Sequence, residues 1–249
     1  MEMNEIILNV SEWIGVISVT LLLTLSRRFA VRPVAFKYLR REVTLSILLA
    51  VILSAAAIYA NLVLKLPTLP VSGKAGGEHI AGQLIWAAII LLPVVLLLVI
   101  RRQPLLSIGL SRPSTTLGLI LGVALALITI FLRGKVYSLL DGITAEEFNY
   151  LILSLVLALA GEIIFRGFLQ LRFTGWLGRI GGWLLASLAH FLFCLPFVWL
   201  VNGENFAGFW LPAVVQLVQS ILLGWIMRRS GNVLASGLYQ AAHFWVASL

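Results

Sequence analysis

The chain has 249 residues, 61% of them hydrophobic and 11% charged, with a mean hydropathy of +1.04. Ordinary soluble domains do not approach these values, so the sequence describes an all-α, polytopic helical bundle embedded in a lipid bilayer. The formal net charge of +8 and pI near 10.3 sit at the ends of apolar segments, where they serve topology and contact with anionic lipid rather than nucleic-acid binding. A single cysteine excludes an internal disulfide.

A spanning helix needs about 20 apolar residues. Eight segments qualify: residues 5–25, 43–65, 80–100, 116–133, 148–171, 181–201, 208–227 and 231–249. They make residues 1–249 a single integral membrane domain without internal repeats or low-complexity tracts. The first segment follows Met1-Glu-Met-Asn-Glu5 and has no basic region ahead of it, so it reads as a span and not a cleaved signal. After it, Arg27 to Arg41, broken by Pro33, forms a basic connection suited to the headgroup layer. A turn-rich loop with Pro67 and Pro70 carries Glu78 and His79, and a short crossing from Arg101 to Pro113 contains Pro104. Thr144 followed by Glu147 predicts a capping box that opens the fifth span beside Asp141 and Glu146.

Charge placement gives an orientation. With both termini outside, the cytoplasmic connections carry 13 of the 18 Lys and Arg residues, the outer face four (Lys65, Lys74, Arg133 and Lys135), and Arg166 lies within a span. That split follows the rule that cytoplasmic loops are rich in Lys and Arg.

Ionisable groups inside spans cost several kcal/mol by most scales and persist where they face a protein interior and serve a purpose. Four stand out: Glu162, Arg166, His190 and His243. Glu162 and Arg166 are spaced i, i+4 and can pair on one helix face. Counted from the cytoplasmic ends of their spans, Glu162, His190 and His243 fall roughly 13 to 18 Å deep at about 1.5 Å per residue, a depth at which adjacent helices would bring them together. Two imidazoles and a carboxylate offer either a catalytic zinc site or, without metal, a water-activating base with oxyanion donors. Spacing does not separate the two. Cys194, four residues after His190, shares its face and offers a rival Cys–His nucleophile pair, although a lone cysteine in a span usually behaves as a small apolar residue. Gln216, Gln219 and Ser220 are spaced to face inward from the seventh span.

The run Gly161-Glu-Ile-Ile-Phe-Arg-Gly-Phe168, followed by His190 and His243 on later spans, resembles the CPBP family of intramembrane proteases, also called the CAAX protease or Abi family. Ser107-Ile-Gly-Leu110 resembles a further stretch common there, and the likeness covers mainly residues 100–249. The family pattern is Glu-Glu-x-x-x-Arg, then Phe-x-x-x-His, then His-x-x-x-Asn. Glu162, Arg166, His190 and His243 match it. Gly161, Ala186 and Ala247 stand where the first Glu, the Phe and the Asn belong.

The resemblance implies an endopeptidase acting near the C-terminus of a membrane-associated, sometimes prenylated, protein. Within it, the first Glu and first His activate water, and the second His and the Asn stabilise the oxyanion. Because Gly161 has no carboxylate, Glu162 would have to replace it through a rotated or broken helix while releasing Arg166, and Gln240 is a candidate donor in place of Ala247. The alternative is a catalytically lapsed relative that binds a membrane segment or peptide as a scaffold or immunity protein.

Overall fold

The computed structural model describes residues 3–25, 34–66, 68–69, 77–110, 112–203 and 206–246, for 77–79, 112, 113 and 207 as backbone only. Among these residues all regular structure is helical. The order is α1 (Met3–Thr24), α2 (Leu39–Ile58, continuing as a π-helical turn Tyr59–Val63), α3 (Gly77–Ile100), a 3-10 turn (Leu105–Ile108), α4 (Arg112–Leu132), α5 (Val136–Leu140), α6 (Ala145–Glu162, continuing as a π-helix Ile163–Gln170), α7 (Leu171–Asn202), α8 (Phe206–Ser230) and α9 (Val233–Val246). Large apolar side chains such as Leu22, Val99, Ile100 and Phe131 point outward, as a bilayer-facing surface requires, while polar groups collect inside.

Six helical runs among the described residues are long and apolar enough to cross a membrane. One of them, Ala145–Asn202, contains both the fifth and sixth expected spans in 58 residues. Gly178 (φ 74°, ψ 179°) breaks it into two, a conformation that only glycine adopts without strain. Past that break the chain folds back: a Cβ on Gly182 would strike the backbone of Phe173 and Thr174. The eighth expected span, residues 231–249, corresponds among the described residues to α9, of 14 residues. It is an interior helix packed against α4, α6 and α8. Gly118 and Gly122 of α4, spaced i, i+4, make its close approach possible, since a Cβ on Gly122 would lie 2.9 Å from the Leu234 carbonyl oxygen.

The predicted capping box is formed: Thr144 Oγ1 accepts from the Glu147 N–H at 3.2 Å, and Glu147 Oε2 accepts from the Thr144 N–H at 2.7 Å. A second device seats the π-helix. Arg172, which charge counting assigned to a loop, is fully buried. Its Nε donates to Glu42 at 2.9 Å, Nη1 to the carbonyls of Ser107 and Phe168 at 3.1 and 2.9 Å, and Nη2 to Gln103 at 2.5 Å. Arg101 also pairs with Glu42 at 2.6 Å. This network presses the Ser107-Ile-Gly-Leu110 turn onto Gly167, where a Cβ would collide with the Ile108 carbonyl. Gly109, with φ at +73°, lets the turn pass.

Candidate intramembrane site

Glu162 ends the α-helical part of α6, and eight residues of π-helix follow immediately, from Ile163 to Gln170. A π-helix changes the angle between successive side chains and is found disproportionately at functional sites. Here it begins after Glu162, so it changes the angle between Glu162 and the residues that follow, Arg166 among them. Glu162 and Arg166 are both fully buried, with Arg166 Nε 3.6 Å from Glu162 Oε1.

That distance is an ion pair but too long for a hydrogen bond. The guanidinium's other nitrogens are committed elsewhere. Nη2 donates to the Ser220 carbonyl at 2.9 Å and to His190 Nδ1 at 3.1 Å, and Nη1 approaches the Ala186 carbonyl at 3.5 Å. Within 3.5 Å neither oxygen of Glu162 nor the Nε of Arg166 has a hydrogen-bond partner, although the Ser236 hydroxyl of α9 faces the Glu162 carboxylate. Native interiors rarely tolerate such groups without a functional reason.

His190 is 2% exposed and packs edge-on to Phe165 with ring centroids 5.0 Å apart. An arginine only donates, so His190 Nδ1 accepts from Arg166, with Ser220 Oγ 2.9 Å away. A neutral ring then carries its proton on Nε2, which faces Cys194 Sγ at 3.6 Å. The expected shared face of His190 and Cys194 is present, but the ring offers the thiol no free basic nitrogen. Without that base a buried cysteine is not activated as a nucleophile.

His243 sits in a different cluster. Its Nδ1 is 2.9 Å from Glu12 Oε1 and 3.4 Å from Arg133 Nη2. Arg133 in turn donates Nε to Glu12 at 2.6 Å and Nη2 to Asn9 at 2.5 Å. Gln219 accepts from Trp13 at 3.0 Å and from Tyr239 at 3.2 Å beside it. The equal-depth expectation fails because α6 and α9 run antiparallel in a register that loop counting does not reveal. Gly237 packs on Leu159 and Gly167 on Val233, so Glu162 lies level with the middle of α9, and His243 lies roughly 8 to 13 Å further on at about 1.5 Å per residue.

Glu162, His190 and His243 are thus not brought to one point. Among the described residues no three His, Cys, Asp or Glu side chains form a group able to hold a metal. Arg166, a permanent cation, occupies the space between Glu162 and His190. The residues present do not fit a zinc ion.

At Gly161 a Cβ would meet nothing within 4 Å. Gln240 is buried with its Oε1 unpartnered, and Ala247 lies outside the described residues. Sequence reasoning missed Glu12, Asn9 and Arg133. The signal was available in Glu12, a lone carboxylate in the middle of the first apolar span, which carries the same weight as Glu162. Its partners, 121 and 231 residues away along the chain, were not readable.

Comparisons of the chain with curated proteins and with solved structures gave no match. A family model described as Rce1-like, type II CAAX prenyl endopeptidase, matches residues 144–246. That stretch runs from the Thr144 cap through the π-helix and His190 to the end of α9, and over it the chain is similar to the type II CAAX prenyl endopeptidases.

Proposed function

We propose that the protein is an intramembrane endopeptidase that hydrolyses a peptide bond near the C-terminus of a membrane-associated polypeptide, prenylated or not, with Glu162 standing in for the family's first glutamate. The observation that carries this is the lightly held carboxylate: Glu162 is fully buried, Arg166 lies alongside at 3.6 Å rather than in a hydrogen bond, and the Ser236 hydroxyl of α9 faces it. Glu162 takes a proton from water as its oxygen attacks the scissile carbonyl carbon. It then returns the proton to the leaving amine nitrogen as the C–N bond breaks. Arg166, fixed by Ser220, Ala186 and His190, supplies fixed positive charge beside the developing oxyanion. His190 is a positioning residue here, holding Arg166 through Nδ1. Both termini lie on the outer side, with the site nearer the Arg-rich face.

Gly161 favours a second reading. The space beside it is open, so a site that has lost its base would look the same and would bind a membrane peptide without cutting it. The test is turnover of quenched, farnesylated C-terminal peptides by purified protein in nanodiscs. The peptidase reading expects wild-type cleavage that falls about 10²–10⁴-fold in Glu162→Gln. Cleavage that appears only after Gly161→Glu would transfer the case to the binding protein, and a fully active Glu162→Gln would remove Glu162 from the chemistry.

A further inference from the structure

Along the outside of α3 runs a groove of about 520 Å³, lined by Leu91, Val94, Val95, Leu98 and Val99, by Leu105 and Ile108 of the 3-10 turn, by Ile163, and at one end by Arg102 and Gln103. Its volume falls within the range of about 300 to 1,000 Å³ typical of ligand sites. Away from that end the wall is apolar, and part of its rim, Val95 and Val99, is 42% and 68% exposed. From Leu91 to Arg102 the groove descends roughly 16 Å at about 1.5 Å per residue. That is half of a hydrocarbon core of about 30 Å, the depth of one leaflet.

The cation at its mouth is placed by the end of α3. Arg102 has φ at +48°, the left-handed cap that ends α3, with its N–H on the Val99 carbonyl at 3.1 Å and the Gln103 N–H on that of Leu98 at 2.9 Å. Its neighbours are committed: Arg101 pairs with Glu42, and Gln103 bridges Glu42 and Arg172. The Arg102 side chain is exposed and makes no ion pair or hydrogen bond with any described residue. A guanidinium at the headgroup level above a leaflet-deep apolar trough has the shape and charge of an anionic amphiphile's complement.

We propose that this groove is a binding site for an anionic phospholipid, with its phosphate on Arg102 and one acyl chain laid along Leu98, Val95 and Leu91. The chain passes Ile163, the residue next to Glu162, so lipid composition reaches the wall of the candidate site. This site stands independently of whether the protein cleaves peptides.

Native mass spectrometry of the purified, delipidated protein, supplied with equal phosphatidylglycerol and phosphatidylcholine, tests the assignment. Wild type should retain phosphatidylglycerol about fivefold over phosphatidylcholine, the scale of one interfacial cation's attraction for anionic lipid. Arg102→Gln should bring that ratio to about one, the scale of losing that single cation. Val95→Trp, which fills the trough, should lower retention of both lipids. Arg40→Gln, an exposed arginine on another helix, should change nothing.

A preference that survives Arg102→Gln, or that falls equally in Arg40→Gln, would reduce the effect to diffuse surface charge and overturn the site. Undiminished retention in Val95→Trp would remove the acyl chain from the groove. A farnesylated peptide that binds wild type and is lost in Arg102→Gln, with lipid retention unaffected, would reassign the groove to substrate.

Discussion

The two intramembrane histidines carry the same residue type, lie on helices that both pack against α8 and each touch an arginine, yet they are different chemical objects. His190 accepts from Arg166 through Nδ1, is shut in by Phe165, Ser220 and Cys194, and has no carboxylate against its ring. His243 presents Nδ1 to the carboxylate of Glu12, with Arg133 behind it, and its side chain stays 20% exposed. A carboxylate orients an imidazole by taking its N–H, whereas an arginine orients it by occupying its lone pair. The first leaves the far nitrogen available as a base and the second does not. What separates them is not their own spans but α1 and α4, which reach only one of the two.

The largest effect should come from the carboxylate that makes this difference. Glu12 is fully buried and serves His243 and Arg133 at once, joining α1 to α4 and α9. Glu12→Ala leaves the part-buried Arg133 guanidinium short of its anion, a change whose upper bound is the about 3–5 kcal/mol seen for fully buried pairs. Thermal unfolding in detergent should show it as the most damaging of the polar substitutions. A loss under about 1 kcal/mol would mean that α1 is docked by apolar packing alone and that the comparison overstates its ion pair.

The His190 side depends on backbone fit. Gly167 sits in the π-helix against the Ile108 carbonyl, with no room for a Cβ, so Gly167→Ala should cost about 1–3 kcal/mol through overpacking. Because the turn is fixed by Arg172, the strain should fall on the π-helix, and turnover should drop further than stability does. Equal losses in both would indicate a purely structural seat.

Glu162→Gln should be milder for stability, about 1–2 kcal/mol, because Arg166 keeps its acceptors on Ser220, Ala186 and His190 and the lost contact is longer than a hydrogen bond. A small thermal shift beside a large loss of turnover is the signature of a carboxylate retained for chemistry. A loss as great as that of Glu12→Ala would make Glu162 a structural ion partner and erase the contrast between the clusters.

The sequence was readable where a property is local. The first seven span positions, the Thr144–Glu147 cap and the i, i+4 relation of Glu162 to Arg166 follow from hydropathy and helical spacing, and each is present among the described residues. The inward reading of Ser220 and Gln219 was also right, since both join buried networks. Depth was misread for His243 because loop residues mark a boundary only when every helix starts at the same level, and α9 begins inside the bundle beside Gly167. Arg172 was misread for a related reason: a basic residue at the end of a span looks topogenic until a buried carboxylate from another helix, here Glu42, claims it. The π-helix had no local signal at all, since its hydrogen-bond shift is imposed by the packing of Gly167 and Phe168 against the 3-10 turn and Arg172.

The smallest predicted effect addresses the open space beside Glu162. Gly161 lies inside α6, and an added Cβ meets nothing within 4 Å. Alanine there removes backbone freedom from the unfolded chain without a clash, so Gly161→Ala should stabilise the protein by about 0.5–1 kcal/mol. A methyl group also brings no charge, so it leaves Glu162 as the only carboxylate of the motif. If Gly161→Ala raises the unfolding temperature and turnover is unchanged, the space is slack in the fold and Glu162 works without it. If it raises the temperature but abolishes turnover, the space belongs to the reaction, because a methyl group has then displaced something the chemistry needs. A destabilised Gly161→Ala would mean the helix there relies on glycine's freedom, and the carboxylate-bearing variant at the same position would have to be judged against that strain.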